Sequence, residues 1–178
     1  EFAATARGLG FAGIEVSHLV TPAMIGDAHV AALGIGAVHF PAPAQPSPFG
    51  QPAEALLSSP DENARRWAVQ QGYASIDFAG QAGAAAICLH LGEAPAPAHL
   101  EWALRQRYLG GQRQSEVYAA ALAAVEEERR ALSPLALAAA QRSLDELAGY
   151  ARPRGIRLGI ESRGHHGQIP TWSELGQL

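Results

Sequence analysis

IRLGIE at residues 156–161 is a short, mostly apolar segment that ends in a carboxylate. A polar stretch punctuated by glycines, SRGHHG at residues 162–167, follows it directly. An ionisable residue at the tip of a buried strand, opening a polar loop, is how a parallel α/β sheet presents a catalytic or metal-binding group. The segment therefore predicts a strand of such a sheet, with Glu161 as a candidate functional residue.

Two earlier segments show the same arrangement with histidine in place of glutamate. IGAV at residues 35–38 ends at His39, and GAAAICL at residues 83–89 ends at His90. Parallel sheets bind ligands at the carboxyl ends of their strands, along one edge of the sheet. Three candidate ligands at three strand ends therefore favour one shared site built from His39, His90 and Glu161.

Helical segments separate the apolar strands along the whole chain. The pattern predicts strands at about residues 11–16, 35–39, 84–90 and 156–160. It predicts helices at about residues 1–9, 22–33, 60–82, 99–108, 115–132 and 134–152, with one more beginning at 173. Strands that alternate with helices pair in parallel through right-handed crossovers. We therefore expect a parallel α/β fold.

Proline marks two of the boundaries in this pattern. Residues 41–60 are rich in proline, which blocks regular helix and central strand, so we expect a long loop of the kind that often forms a lid. Ser59 is the candidate cap of the helix that follows the loop. The pair Ser133 and Pro134 is expected to break the helical region that begins at residue 115.

Composition narrows the class of protein. The 178 residues suit a single domain, residues 1–178, and the formal net charge is −4. No cluster of basic residues forms a stripe that would track phosphates, so we expect no nucleic-acid partner. The one cysteine, Cys88, lies in an apolar run and reads as a small buried hydrophobe, which fits a reducing cytoplasm. No apolar stretch is long enough to cross a bilayer, so no membrane partner is expected.

Four segments at the predicted strands resemble one known superfamily. GFAGIEV at 10–16 resembles its second strand, VHFP at 38–41 its third, LHLG at 89–92 its fourth and GIRLGIESR at 155–163 its fifth. Ser162 departs from the Asn that usually follows the glutamate of the fifth strand. The chain thus resembles the xylose-isomerase-like, or sugar-phosphate isomerase/epimerase, superfamily of (β/α)8 TIM barrels.

The resemblance implies that the chain covers only about half of a barrel, namely the second to fifth strands. A complete barrel takes about 250 residues. The first strand would lie before residue 1 and the sixth to eighth after residue 178. We therefore expect the sequence to be part of a longer protein.

The resemblance also implies a function: a divalent-metal-dependent isomerase or epimerase for a sugar or a related small polyol or keto acid. The metal (Mn, Mg, Zn or Co) would be held by Glu161, His90 and His39, with Glu161 and His90 also catalytic. In many isomerases of the family the two histidines contact substrate instead, and the sequence leaves both arrangements open. The implied partner is a small sugar-like substrate, and a homo-oligomer is possible.

The sequence leaves two alternative functions open. The abasic-site endonucleases form a metal-dependent branch of the superfamily in which both histidine positions ligate zinc, and a phosphodiester hydrolase is therefore an alternative. The acidic net charge of −4 disfavours DNA binding. A second alternative is a non-catalytic α/β assembly module that pairs its open sheet edges with another copy.

Further candidate residues surround the predicted site. Glu15 is expected to bind substrate or to orient a histidine, with a structural ion pair as the alternative. Arg163 suits a phosphate or carboxylate of substrate, and His165 lies in the same loop, where both could also be solvated. Trp102 and Tyr108 are candidates to cover a sugar ring. We expect the remaining features to be surface or packing groups: His18, His29, His99 and the charged run 126–130.

Overall fold

The computed structural model describes residues 2–25, 34–94, 98–162 and 164–178. Helices and strands alternate along the chain. In order they are α1 (Phe2–Gly8), β1 (Ile14–Val16), α2 (Pro22–Ile25), β2 (Ile35–His39), α3 (Ala53–Leu56), α4 (Glu62–Ala82), β3 (Ala86–Leu89), α5 (Ala98–Leu109), α6 (Glu116–Ala151) and β4 (Arg157–Ile160). Short 3-10 turns follow at Arg152–Arg154 and Leu175–Gln177.

The four strands form one parallel sheet in the order β1-β2-β3-β4. Each strand lies beside the one that precedes it in sequence, without the reversal of order that marks a doubly wound sheet. Sequential parallel order is the arrangement of a barrel wall. The expected parallel α/β fold is therefore confirmed, and the sheet is consistent with part of a (β/α)8 barrel.

The register of the sheet separates an outer, helix-covered face from an inner face. Val38 pairs with Ile87 on the outer face, and both side chains are buried. On the inner face His39 pairs with Cys88, which in turn pairs with Gly159. His39 and Cys88 are partly buried, and Gly159 is exposed. The polar groups at the strand ends therefore face a surface lined by small side chains.

Two long helices, α4 and α6, pack together over the outer face. Gly72 lies where they approach most closely, because a Cβ atom there would overlap the side chain of Leu147. The Tyr73 and Tyr150 rings stack beside this contact, with centroids 4.2 Å apart. This tight packing fixes the helices on which the sheet rests.

The loops that follow β3 and β4 are fastened to each other. The backbone N–H of Ala94 donates to Gly167 O at 2.7 Å, and that of Ile169 donates to Gly92 O at 3.1 Å. Gly92 has φ +100°, and a Cβ atom there would overlap the Ser58 hydroxyl, so only glycine fits. The loops that carry the strand-end residues are thus held in one arrangement.

Several predicted boundaries are corrected by the structure. The loop at 41–60 contains the short helix α3, which buries Leu56 against the core. Asp61, not Ser59, caps α4, because its carboxylate accepts the backbone N–H of Asn63 at 2.9 Å. The part of the predicted 22–33 helix beyond α2, residues 26–33, lies outside the described residues.

The predicted break at Pro134 does not occur, and α6 runs through it. Proline removes one backbone hydrogen bond from a helix and crowds the preceding turn. Pro134 lies at an exposed position, and the buried residues Ser133 and Ala136 on either side keep the helix on the core. Packing of the long helix therefore outweighs a single proline. The helix predicted from residue 173 is only the turn at Leu175–Gln177.

The charged run 126–130 is not uniformly solvated, in contrast to the prediction. Arg129 donates to both oxygens of Glu174 at 2.7 and 2.6 Å, and both side chains are largely buried. Burial opposes ionisation of Glu174, but the hydrogen bonds from Arg129 and from the Thr171 backbone outweigh it, and the pKa of Glu174 lies below its usual value. The pair anchors the segment after β4 to α6.

Among the described residues, no helix combines the length and the low charge that crossing a lipid bilayer requires.

Candidate metal centre

The side-chain alternation of the strands brings the polar residues to one place. Every second residue of a strand points to the same face. Glu15 on β1, His39 on β2, Cys88 and His90 on and after β3, and Glu161 after β4 all share the inner face. The three residues predicted from the strand ends therefore do converge, and two further residues join them.

His39 lies at the centre of this group. Its Nδ1 is 2.9 Å from Glu15 Oε1, and its Nε2 is 2.9 Å from His90 Nε2. An ionised carboxylate can only accept a hydrogen bond, so the contact with Glu15 places the proton of a neutral His39 on Nδ1. The lone pair of His39 Nε2 then points toward His90.

His90 is 5% exposed and is fixed from its other side. Its Nδ1 lies 3.1 Å from the backbone carbonyl oxygen of Glu161, which is an acceptor and therefore requires a proton on Nδ1. In the neutral tautomers set by these contacts, His39 Nε2 and His90 Nε2 present lone pairs to each other at 2.9 Å. An additional proton or a cation between the two nitrogens relieves that opposition.

Glu161 completes the cluster. Its Oε2 lies 3.9 Å from both His39 Nε2 and His90 Nε2. The side chain is 50% exposed, so the prediction of a buried carboxylate is corrected: β4 is the last strand of the described sheet, and its inner side is open. The thiol of Cys88 donates to the same Oε2 at 3.1 Å.

Cys88 was expected to be a buried hydrophobe, but it is only partly buried and belongs to the cluster. Burial, and then its hydrogen bond to the Glu161 carboxylate, raises the pKa of the Cys88 thiol to about 12. The thiol is therefore protonated at neutral pH and holds one oxygen of Glu161 in place. Its position two residues before His90 on the same strand was the sequence signal that identifies it.

The donor set fits a divalent metal ion. His39, His90 and Glu161 each offer one ligand atom, and these atoms lie within 4.8 Å of one another. A tetrahedral ion with bonds of about 2.0–2.1 Å separates its ligands by about 3.3 Å. The two Nε2 atoms, 2.9 Å apart, would have to separate slightly, and the carboxylate at 3.9 Å would have to approach. A second group of candidate ligands consists of Glu15, His39 and Cys88, whose ligand atoms also lie within 4.8 Å of one another.

The other sequence candidates have different positions. His18, expected at the surface or in packing, has its ring centroid 5.1 Å from that of His39 and flanks the cluster. His165 is exposed and lies outside the cluster, in the loop after β4. Arg163 and His29 lie outside the described residues. Trp102 is 65% exposed and Tyr108 is 52% exposed, on α5.

No protein-family model matches the chain, and no curated protein matches it. Among solved structures the chain is similar to a crystal structure of a xylose isomerase domain protein from Planctomyces limnophilus, with 17% sequence identity and a TM-score of 0.44. The match covers 90% of this chain and 48% of that one, so the chain spans about half of that protein's length.

Proposed function

We propose that His39, His90 and Glu161 hold a divalent metal ion, and that the chain supplies this site to an isomerase or epimerase for a sugar or a related small polyol or keto acid. The observation that carries the proposal is the pair of imidazole nitrogens, 2.9 Å apart, whose tautomers are set from outside the site. Nitrogen and carboxylate donors of this kind suit Zn, Mn or Co.

The chain's own residues have distinct roles in this proposal. Glu15 is a positioning residue, because it accepts the Nδ1 proton of His39 and thereby directs Nε2 into the site. The Glu161 backbone carbonyl does the same for His90. The Cys88 thiol restrains the Glu161 carboxylate. Each metal-binding group therefore has a fixed orientation before an ion arrives.

The chemistry follows from the site's exposure and donors. His39, His90 and Glu161 would hold the divalent ion, which would supply polarisation of adjacent carbonyl and hydroxyl oxygens of a sugar. Glu15 and Glu161 are each 50% exposed, so carboxylates reach a small substrate on the inner face. One of them would move a proton to or from the carbon next to the carbonyl. Isomerisation and epimerisation both need that proton transfer.

A second candidate is metal-dependent phosphodiester hydrolysis. The observation that favours it is that both histidines lie within ligand reach of Glu161, as the endonuclease-like branch of the resembled superfamily would require. The net charge of −4 makes nucleic acid a poor substrate.

Metal stoichiometry tests the proposed metal site. The chain is loaded with Zn²⁺, Mn²⁺ or Co²⁺, and bound metal is measured by mass spectrometry after desalting. We expect one ion per chain, lost in Glu161→Gln and in His39→Gln. Glu93→Gln and His99→Gln replace exposed residues that lie outside the cluster, and they should retain the ion. Equal metal content in Glu161→Gln and Glu93→Gln would refute the metal site.

The reaction class is tested separately on the metal-loaded protein. It is incubated with xylose or glucose in D2O, and deuterium at the carbon beside the carbonyl is followed by NMR. Incorporation that requires Glu161 supports proton transfer. Cleavage of bis(4-nitrophenyl) phosphate without deuterium incorporation would replace the isomerase proposal by the hydrolase.

A further inference from the structure

A cavity of about 590 Å³ lies away from the candidate metal centre. Pockets that hold small organic ligands usually measure about 300–1,000 Å³. Its walls come from α5, from the beginning of α6 and from residues 164–166 of the loop after β4. His39, His90 and Glu161 do not line it, so it is distinct from the proposed metal site.

Aromatic rings form much of the wall. Trp102 and Tyr108 project from α5, and Tyr118 comes from the first turn of α6. Trp102 is 65% and Tyr108 52% exposed, although large aromatic side chains are usually covered in a folded chain. Leu104, which is 3% exposed, also lines the cavity and gives it an apolar floor. This wall suits a flat ring that can stack.

Unpaired hydrogen-bond donors face the same space. Arg105, His165 and His166 line the cavity, and within the described ranges their side chains make no hydrogen bond or ion pair. Glu101 is the only acidic residue among the described residues of the lining, and its Oε1 is turned to the backbone N–H of Gly167, which it accepts at 2.8 Å. A guanidinium and two imidazoles without a protein acceptor favour an anionic group on the ligand.

The geometry points to a binding site for a planar aromatic ring that carries a phosphate, the ring stacking on Trp102 and the anion contacting Arg105. Loop and helix are fixed to each other by the Glu101–Gly167 hydrogen bond, so the cavity exists before a ligand enters. The site is independent of the metal ion and of the proposed isomerase activity.

Calorimetric titration of the metal-free chain with three probes tests the site. The probes are adenosine 5′-monophosphate, adenosine and inorganic phosphate. We expect the monophosphate to bind most tightly, because stacking and charge then act together. Trp102→Ala should weaken the monophosphate and adenosine by about tenfold or more, since stacking of one base contributes about 1–3 kcal/mol. Arg105→Gln should weaken the monophosphate and inorganic phosphate and leave adenosine unchanged.

Two control variants outside the cavity test whether the changes in affinity are specific to Trp102 and Arg105. Trp172 is 90% exposed and lies outside the cavity, so Trp172→Ala should leave all three titrations unchanged. Arg113→Gln, an exposed arginine of the α5–α6 turn, should do the same. Circular dichroism checks that the variants fold. Failure of the monophosphate to bind, binding insensitive to Trp102→Ala, or equal binding of inorganic phosphate and the monophosphate would each overturn the proposal.

Discussion

Two polar clusters of the molecule both contain glutamates but surround them with different groups. In the first, which we call the Arg65 cluster, Arg65 donates to Glu62, Glu146 and Ser143 at 2.7–3.0 Å and is 3% exposed. In the second, the candidate metal centre, carboxylates and imidazoles approach one another without a guanidinium between them among the described residues. The first cluster satisfies its charges internally, and the second presents several acceptors to one point.

This difference distinguishes a structural group from the proposed ligand site. Hydrogen bonds from Arg65, followed by those from Arg66, lower the pKa of Glu62 to about 2, so the charges of that cluster persist over a wide pH range. The cluster joins α4 to α6, since Ser143 and Glu146 belong to α6. Nothing in it needs an outside ion. At the candidate metal centre the histidine tautomers leave two lone pairs opposed, and the proposed ion would lie between them.

Replacing Arg65 breaks the first cluster and should give the largest effect on stability. Arg65→Met keeps the apolar stem but removes four hydrogen bonds. Removing one partner of a buried pair costs 3–5 kcal/mol when the remaining charge stays buried. Glu62 and Glu146 are 43% and 42% exposed and can hydrate, so we expect about 2 kcal/mol. Urea unfolding measures the loss of unfolding free energy.

The matched control is Arg66→Gln, which removes a 71% exposed arginine from the same Glu62. It should cost about 0.5 kcal/mol or less. Neither variant should change the affinity for zinc. A similar loss in both variants, or a weakened metal affinity in Arg65→Met, would show that the two clusters are not separate in function.

Removing the Glu15 carboxylate tests the second cluster. Glu15→Gln keeps the shape but makes it easier for His39 to hold its proton on Nε2, toward the site. Changing a group that orients a metal-bound histidine typically lowers metal affinity about 10–100-fold. We expect that loss in zinc titrations, with an unfolding free energy within about 0.5 kcal/mol of the parent. Unchanged zinc affinity would show that His39 does not bind through Nε2.

The strand ends of this fold were predictable because each is a local pattern. His39, His90 and Glu161 each follow an apolar run, and parallel pairing brings the carboxyl ends of such runs together. Strict alternation along β3 also places Cys88 on the face of His90. The neighbours Ile87 and Leu89 are apolar and buried on the opposite face, so the local composition predicts a buried cysteine.

Contacts between distant segments were not predictable. Arg129 and Glu174 are 45 positions apart, and the local run of charges around Arg129 resembles a solvated helix face. Pro134 was expected to end a helix because its local cost is evident, whereas the buried face that keeps α6 continuous depends on tertiary packing. Local propensity therefore predicts the positions of the strands well and the continuity of the helices poorly.

The pH dependence of stability tests the Arg129–Glu174 ion pair, a second group that satisfies its charges internally. The pKa of Glu174 is lowered in the folded state, so its contribution is complete above the ordinary carboxyl pKa of 4.5 and is lost as pH falls through the lowered value. Glu174→Gln should therefore reduce stability by about 1 kcal/mol at pH 7, and the difference from the parent should shrink in acid. Urea unfolding between pH 7 and 3 measures it. Glu128→Gln, an exposed neighbour, should show no such convergence.

The smallest effect is expected at Cys88, and it decides which of two overlapping donor groups holds the ion. If His39, His90 and Glu161 are the ligands, Cys88 only restrains the carboxylate through a hydrogen bond. Glu161 is half exposed, so water can replace the thiol, and Cys88→Ala should lower zinc affinity by only about threefold, that is by less than 1 kcal/mol. Cys88→Ser retains a donor and should lose less. A loss of about 100-fold or more in both variants would instead identify the thiolate as a ligand and move the ion to Glu15, His39 and Cys88, because only a direct sulfur–metal bond has an effect of that size.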